Sequence, residues 1–99
     1  MTKHISKEDI HEAVARLRHP EINRTLVELG MIKDIALGDD KAEVIMAVPF
    51  LGIPIKEYLV RSVEETVGAL GVEIEVQVIE MNKEERDAFM VMAREGWIG

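Results

Sequence analysis

The chain has 99 residues, 47% of them hydrophobic and 31% charged, which is the size and composition of one globular domain covering residues 1–99. Its 19 acidic and 12 basic residues give a net charge of −7, which disfavours nucleic-acid binding because phosphates would be repelled. It has no cysteine, which excludes disulfides and any zinc or iron–sulfur site held by cysteines of this chain.

The N-terminal third contains one clear helix signal. Ser6, with a carboxylate three residues later, resembles a capping box, and apolar residues then recur at helical spacing, which predicts a helix from Ser6 to Arg18. Pro20 ends it, because the residue before a proline is forced out of the helical conformation. The stretch from Asn23 to Leu29 is expected to form one or two helical turns that end at Gly30.

The middle of the chain predicts a β-hairpin followed by a second helix. Met31 to Leu37 and Ala42 to Val48 read as strands, separated by the polar turn Gly38 to Lys41. Apolar residues then repeat with a period of about 3.6, and Gly71 supplies the signal for the helix end. The predicted apolar stripe of this helix comprises Ile55, Tyr58, Leu59, Val63, Val67 and Leu70.

The C-terminal third predicts one more strand and one more helix. Apolar and polar residues alternate from Val72 to Val78, which indicates a strand with one buried face. A helix is expected from Asn82 to about Glu95, followed by a tail from Gly96 to Gly99. This order predicts an α+β two-layer sandwich, in which helices cover one face of a three-stranded sheet. The third strand is expected either parallel beside the second or antiparallel beside the first.

No motif for a familiar catalytic or nucleotide-binding site is present. The sequence has neither the Gly-x-Ser-x-Gly turn of serine hydrolases nor a glycine-rich phosphate-binding loop. The histidines His4, His11 and His19 lie seven and eight residues apart. Eight helical residues span about 12 Å, which is too far for one metal ion. We therefore interpret the histidines as surface residues and predict no catalytic residue and no metal ligand.

The segments that a membrane protein or a secreted protein needs are not found. The N-terminal residues lack the apolar stretch of a signal peptide. The longest apolar run, Val44 to Ile55, is interrupted by Pro49 and Pro54 and is shorter than the ~20 residues of a membrane helix. We therefore expect a cytoplasmic protein that does not bind membranes.

The loop from Pro49 to Pro54 departs from the usual helix start. Pro54 suits the first turn of the second helix, yet the predicted cap, Ile53, has no side-chain oxygen to accept a backbone N–H. The first-turn N–H groups are then left to water, another loop, or a partner or anion. With Phe50 and Leu51 beside them, a protein-docking surface is favoured over a phosphate site. A loop folded onto the core is the other interpretation.

Several short motifs, in this order, resemble one known family. His19-Pro20-Glu21-Ile22, followed by Leu26 to Ile32, is similar to the Asp-Pro-Glu and Val-x-Leu-Gly-Leu-Val signature of small iron–sulfur cluster assembly and maturation proteins. Gly52-Ile53-Pro54 resembles the Gly-Cys-Pro stretch of that family, and Met81 to Arg86 resembles the segment after its third strand. The same domain occurs in Mrp-type carrier ATPases and in PaaD-type subunits of aromatic-ring monooxygenase systems. The similarity covers roughly residues 8 to 96.

Two departures from the family pattern limit what the resemblance implies. The family's aspartate before Pro-Glu is His19 here, and its cysteine before the helix proline is Ile53. A cysteine at a helix N-terminus has a lowered pKa and serves as a thiolate ligand or redox residue, which isoleucine cannot do. The resemblance therefore implies a non-enzymatic adaptor in iron–sulfur cluster assembly or transfer, with no cofactor bound by this chain alone.

The resemblance also implies partners and a surface. The expected partners are iron–sulfur carrier or recipient proteins, an Mrp-type ATPase among them. Two alternatives stay open, a structural or effector subunit of a multicomponent aromatic-ring oxygenase and a small metal-dependent enzyme using His19 with Glu21 or Glu28. The sequence does not determine the oligomeric state. The predicted partner-binding residues are His19, Pro20, Glu21, Phe50, Leu51, Gly52, Ile53 and Pro54.

Overall fold

The computed structural model describes residues 5–39 and 41–98. Within these residues no helix is long and apolar enough to cross a membrane. The helices and strands follow one another along the chain in the predicted order. They are α1 (Lys7–Ala15), β1 (Ile32–Leu37), β2 (Lys41–Val48), α2 (Lys56–Gly68), β3 (Glu73–Glu80) and α3 (Lys83–Gly96).

The three strands form one mixed sheet with β2 at its centre. β1 pairs with β2 in an antiparallel hairpin, interrupted by a register shift between Ile32 and Asp34. Asp40, in the predicted hairpin turn, lies outside the described residues. β3 pairs with β2 in parallel, so that Val44 stands between Ile35 on one side and Val76 on the other. The crossover through α2 therefore places the third strand beside the second, and the predicted α+β fold class is confirmed.

One face of the sheet is covered by α1 and α2. Helix α2 buries Leu59, Val63 and Val67 against the sheet, which confirms the centre of the predicted stripe. Tyr58 was wrongly included in that stripe, since it is mostly exposed. Consecutive helical residues point about 100° apart, and burial of Leu59 therefore turns Tyr58 toward solvent.

Helix α1 begins as predicted and ends early. Ser6 caps it in a reciprocal capping box with the carboxylate of Asp9. The helix stops at Ala15 rather than Arg18 because the following residues pair with another segment. The carbonyl of Leu17 accepts the N–H of Leu26 at 2.9 Å, and the N–H of His19 donates to the carbonyl of Arg24 at 3.0 Å. Because of this pairing, the backbone leaves the helical conformation before Pro20.

The stretch between α1 and β1 is a compact turn. The N–H of Leu29 donates to the carbonyl of Thr25 at 3.1 Å, which forms one turn where one or two helical turns were expected. Gly30 then adopts a φ of +76°, a left-handed conformation that glycine adopts without strain. The predicted end signal at Gly30 is therefore confirmed.

Helix α2 begins two residues later than predicted. Its cap is Ile55 and not Ile53, and Pro54 lies in the turn before the helix rather than in its first turn. The delay arises because Phe50 to Lys56 forms two successive turns, in which the carbonyl of Ile53 accepts the N–H of Lys56 at 3.2 Å. The cap still has no side-chain hydrogen bond, as the sequence predicted.

The predicted C-terminal tail is part of the folded structure. Helix α3 opens with a capping box between Asn82 and Glu85 and continues to Gly96. The carbonyl of Gly96 then accepts the N–H of Asn23, and Trp97 forms an antiparallel bridge with Ile22. The expectation of a loose tail was wrong for Gly96–Ile98, because this backbone pairs with the turn after α1. Gly99 lies outside the described residues.

Candidate functional site

One cavity joins the two segments that the sequence analysis singled out. It has a volume of about 340 Å³ and lies between the turn after α1, the loop between β2 and α2, and the second half of α3. Five of the eight predicted partner-binding residues line it, and they are His19, Glu21, Phe50, Ile53 and Pro54. Pro20, Leu51 and Gly52 are exposed and do not line the cavity.

Helix α3 supplies the third wall, which the sequence analysis did not assign to a site. Phe89, Met90, Ala93 and Trp97 line the cavity from this side. Phe89 and Ala93 are four apart in α3 and therefore share one helix face, and Trp97 follows directly after the helix end. That spacing marks an apolar face, but nothing in the local pattern says which segment the face meets.

His19 is buried, which corrects its interpretation as a surface histidine. Only 6% of its surface is exposed, and its ring lies at a tilt against Phe89 with the ring centroids 6.5 Å apart. Its Nδ1 accepts the N–H of Glu21 at 3.0 Å, so the neutral ring carries its proton on Nε2. Burial lowers the pKa of His19, and the nearby carboxylate of Glu21 opposes that effect. At neutral pH the imidazole is therefore an uncharged wall of the cavity.

The lowered pKa predicts a loss of stability in mild acid. Because the folded protein binds the His19 proton less readily than the unfolded chain, stability is full above about pH 6.5. It falls as the pH drops through the folded pKa of His19. His19→Asn keeps an acceptor for Glu21 and cannot titrate, so its melting temperature should fall less between pH 7.5 and 5. His11→Asn, at an exposed position, is the control and should behave as the wild type. Equal acid sensitivity of His19→Asn and the wild type would contradict this prediction.

The loop over the cavity is fastened to α3 and β3. The guanidinium of Arg86 lies 4.8 Å from the centroid of the Phe50 ring, and its Nε donates to the carbonyl of Pro49 at 3.2 Å. The N–H of Leu51 donates to the carboxylate of Glu80 at 3.4 Å. These contacts hold the loop in place while its apolar side chains remain accessible. Arg86, which supports the loop without lining the cavity, is a further residue that the sequence analysis did not assign to the site.

Two exposed apolar side chains, Phe50 and Trp97, line the cavity, and the exposed Leu51 follows Phe50 in the loop. Phe50 is 44% exposed, Leu51 is 48% exposed and Trp97 is 56% exposed. Pro49, by contrast, is buried, so the loop is neither wholly core nor wholly surface. We call Phe50, Leu51 and Trp97 the apolar rim. Large apolar residues grouped around a concave site are typical of a surface that docks another molecule.

Of the two residue pairs considered for a metal-dependent enzyme, His19 with Glu21 or His19 with Glu28, the structure brings together only the first. Glu21 joins His19 at the cavity, whereas Glu28 lines a separate depression. There the carboxylate of Glu28 accepts the N–H of Thr25 at 2.8 Å, and this hydrogen bond lowers the pKa of Glu28. The described residues include no group of three His, Asp or Glu side chains placed to hold a metal ion. His4 lies outside them.

The described residues that line the cavity include no ligand of the kind that usually holds an iron–sulfur cluster. Clusters are held chiefly by cysteine thiolates, and none of the 99 residues is a cysteine. The position where the family resemblance implies a cysteine holds Ile53, whose side chain lines the cavity.

Comparison with known proteins identifies the family. Residues 7–78 match the model of the iron–sulfur cluster assembly protein family, which is more than half of the chain. The chain belongs to this family. The match includes the turn after α1 and the loop before α2, and it ends before α3. Two walls of the cavity therefore lie within the family model, and the α3 wall lies beyond it. No curated protein sequence matches the chain.

Two solved structures share the fold of this family member. A domain of unknown function, DUF59, from Bacillus anthracis has a TM-score of 0.70 and 22% sequence identity, covering 88% of this chain and 91% of that chain. A Mycobacterium tuberculosis protein associated with Fe–S complex assembly and repair has a TM-score of 0.52 and 21% identity, covering 89% of this chain and 79% of that chain. At these identities the likeness shows the fold alone.

Proposed function

We propose that this member of the iron–sulfur cluster assembly family is a cytoplasmic, non-enzymatic adaptor. In this proposal it binds an iron–sulfur carrier or recipient protein, such as an Mrp-type ATPase, through the cavity and its apolar rim. The observation that carries the proposal is the meeting of His19, Glu21 and Ile53 with the apolar rim in one concave site. The family membership supports a role in iron–sulfur cluster assembly. The cavity and its apolar rim support partner binding as the way in which the protein acts.

The chemistry of the site favours docking over catalysis. Its lining is mostly apolar, and its imidazole is neutral with Nδ1 already engaged. Protein interfaces derive most of their affinity from a few buried aromatic or aliphatic anchors, and a preformed apolar cavity with an apolar rim accepts such an anchor. The Mycobacterium tuberculosis structure, from a protein associated with Fe–S complex assembly and repair, agrees with a role in that process.

An adaptor of this kind should not hold the cluster itself, because this chain contributes no thiolate. We expect that the purified protein, mixed with iron and sulfide under reducing conditions and then desalted, retains no visible cluster absorption. A cysteine-containing cluster scaffold treated in parallel is the positive control. Stable cluster absorption from the isolated protein would contradict the adaptor proposal.

Site-specific photo-cross-linking in the native host tests the docking proposal. A photoreactive phenylalanine analogue replaces Phe50 in the apolar rim, and the same analogue replaces Tyr58 as the control. Tyr58 is 57% exposed on α2 and does not line the cavity. We expect position 50, and not position 58, to cross-link an iron–sulfur carrier or recipient protein.

Two outcomes of the cross-linking experiment would count against the adaptor proposal. Identical cross-links from both positions would mean that the apolar rim has no special role. Cross-links from position 50 to an oxygenase component would instead favour the effector-subunit function.

A further inference from the structure

The charge at the cavity is unbalanced. Among the described residues that line it, Glu21 is the single formally charged one, and none of them is a lysine or an arginine. The carboxylate of Glu21 makes no hydrogen bond or ion pair with the described side chains. Arg86, which contacts the loop, is already engaged by the ring of Phe50 and the carbonyls of Pro49 and Met81.

The size of the cavity limits what can enter. A volume of about 340 Å³ is at the lower end for small-molecule sites, which span roughly 300–1,000 Å³. It suits one large side chain with its adjoining backbone. The lining side chains of Ile22, Ile53, Phe89 and Met90 require that this side chain be apolar.

The net charge of the whole protein has the same sign as that of Glu21. A net charge of −7 attracts basic partners and repels acidic ones, and such fields steer association toward partners of opposite charge. Arg94 is exposed and lines the adjoining depression on α3 with Met90, Ala93 and Trp97, but it does not line the cavity itself.

We propose that the cavity binds a partner-protein segment that inserts one large apolar side chain and carries a lysine or arginine beside it, which pairs with Glu21. This inference rests on the proposed docking function and specifies the chemistry of the docked segment. The apolar side chain provides most of the affinity, and the cation selects among segments that share the same apolar residue.

Three matched peptides test the proposal. They are acetyl-Gly-X-Phe-X-Gly-amide with lysine, glutamine or glutamate at X. Trp97 is the only tryptophan and lines the cavity, so its fluorescence reports occupancy, and amide chemical shifts map the contact. We expect the lysine peptide to bind up to about five-fold more tightly than the glutamine peptide, the upper end for one exposed ion pair, with the glutamate peptide weakest.

Two variants separate the role of Glu21 from the general charge of the protein. Glu21→Gln should bind the lysine and glutamine peptides equally. Glu57→Gln removes the same charge from the first turn of α2, outside the cavity, and should keep the preference for lysine. If Glu57→Gln abolishes the preference as Glu21→Gln does, long-range charge alone is responsible and the proposal fails.

The remaining outcomes separate this inference from the docking function. If all three peptides shift the cavity resonances with equal affinity, the cavity binds apolar anchors and the selection by Glu21 is wrong. If no peptide perturbs Trp97 or the cavity amides, both the inference and the docking cavity are wrong. A dimer in solution that Trp97→Ala converts to a monomer would place a second copy in the cavity and would also overturn the inference.

Discussion

Val63→Asp is expected to unfold the domain. Val63 is fully buried in α2, between the buried residues Leu59 and Val67 that face the sheet and α1. An aspartate there would place an unpaired charge in the core, at a cost of several kcal/mol. Total stabilities of small domains are only about 5–15 kcal/mol. Circular dichroism and a thermal melt should show no cooperative transition, or one shifted far below the wild type.

A matched substitution on another helix provides the control. Val91→Asp makes the same chemical change on α3, where the valine is 53% exposed, and its melting temperature should stay close to that of the wild type. If Val63→Asp and Val91→Asp had the same melting temperature, α2 would not bury the helix face that carries Val63.

The elements of the fold could be predicted because their signals are local. The alternation in β3, the capping boxes at Ser6 and Asn82, and the 3.6-residue stripe through Leu59 and Val63 each lie within one short segment. The order of the strands could not be predicted in this way. Both positions for β3 satisfy the same local pattern, and the choice depends on how the whole sheet packs against α2.

The candidate site was predicted only in part, because it is built from three distant segments. The unusual helix start drew attention to the loop around Ile53, and the family resemblance pointed to the turn at His19. The burial of His19 depends on backbone pairing with the next turn and on contact with Phe89, seventy residues away in sequence. No local pattern reports such a contact. The role of Trp97 could not be predicted for the same reason, because its bridge to Ile22, which completes the cavity, joins distant segments.

Phe50→Ala combined with Leu51→Ala is expected to weaken partner binding while the domain stays folded. Both side chains are about half exposed in the apolar rim. The main intramolecular loss is the stacking of Arg86 on Phe50, and such cation–π contacts contribute about 0.5–1 kcal/mol at exposed sites. A change of 1 kcal/mol shifts the melting temperature of a domain this size by about 4–8 °C. Each lost anchor should weaken binding of the cross-linked partner by about 1 kcal/mol or more, which is about thirty-fold or more for the pair.

Phe89→Ala is the matched control, because Phe89 is a phenylalanine of the same site that is only 6% exposed. Truncating a buried phenylalanine costs about 3–5 kcal/mol, so Phe89→Ala should lower the melting temperature well beyond the loss seen for the double variant. A thermal melt and a binding titration on both proteins therefore separate a contact surface from core. If the Phe50→Ala, Leu51→Ala protein loses as much melting temperature as Phe89→Ala and binds the partner normally once folded, the loop is a structural element and the docking face lies elsewhere.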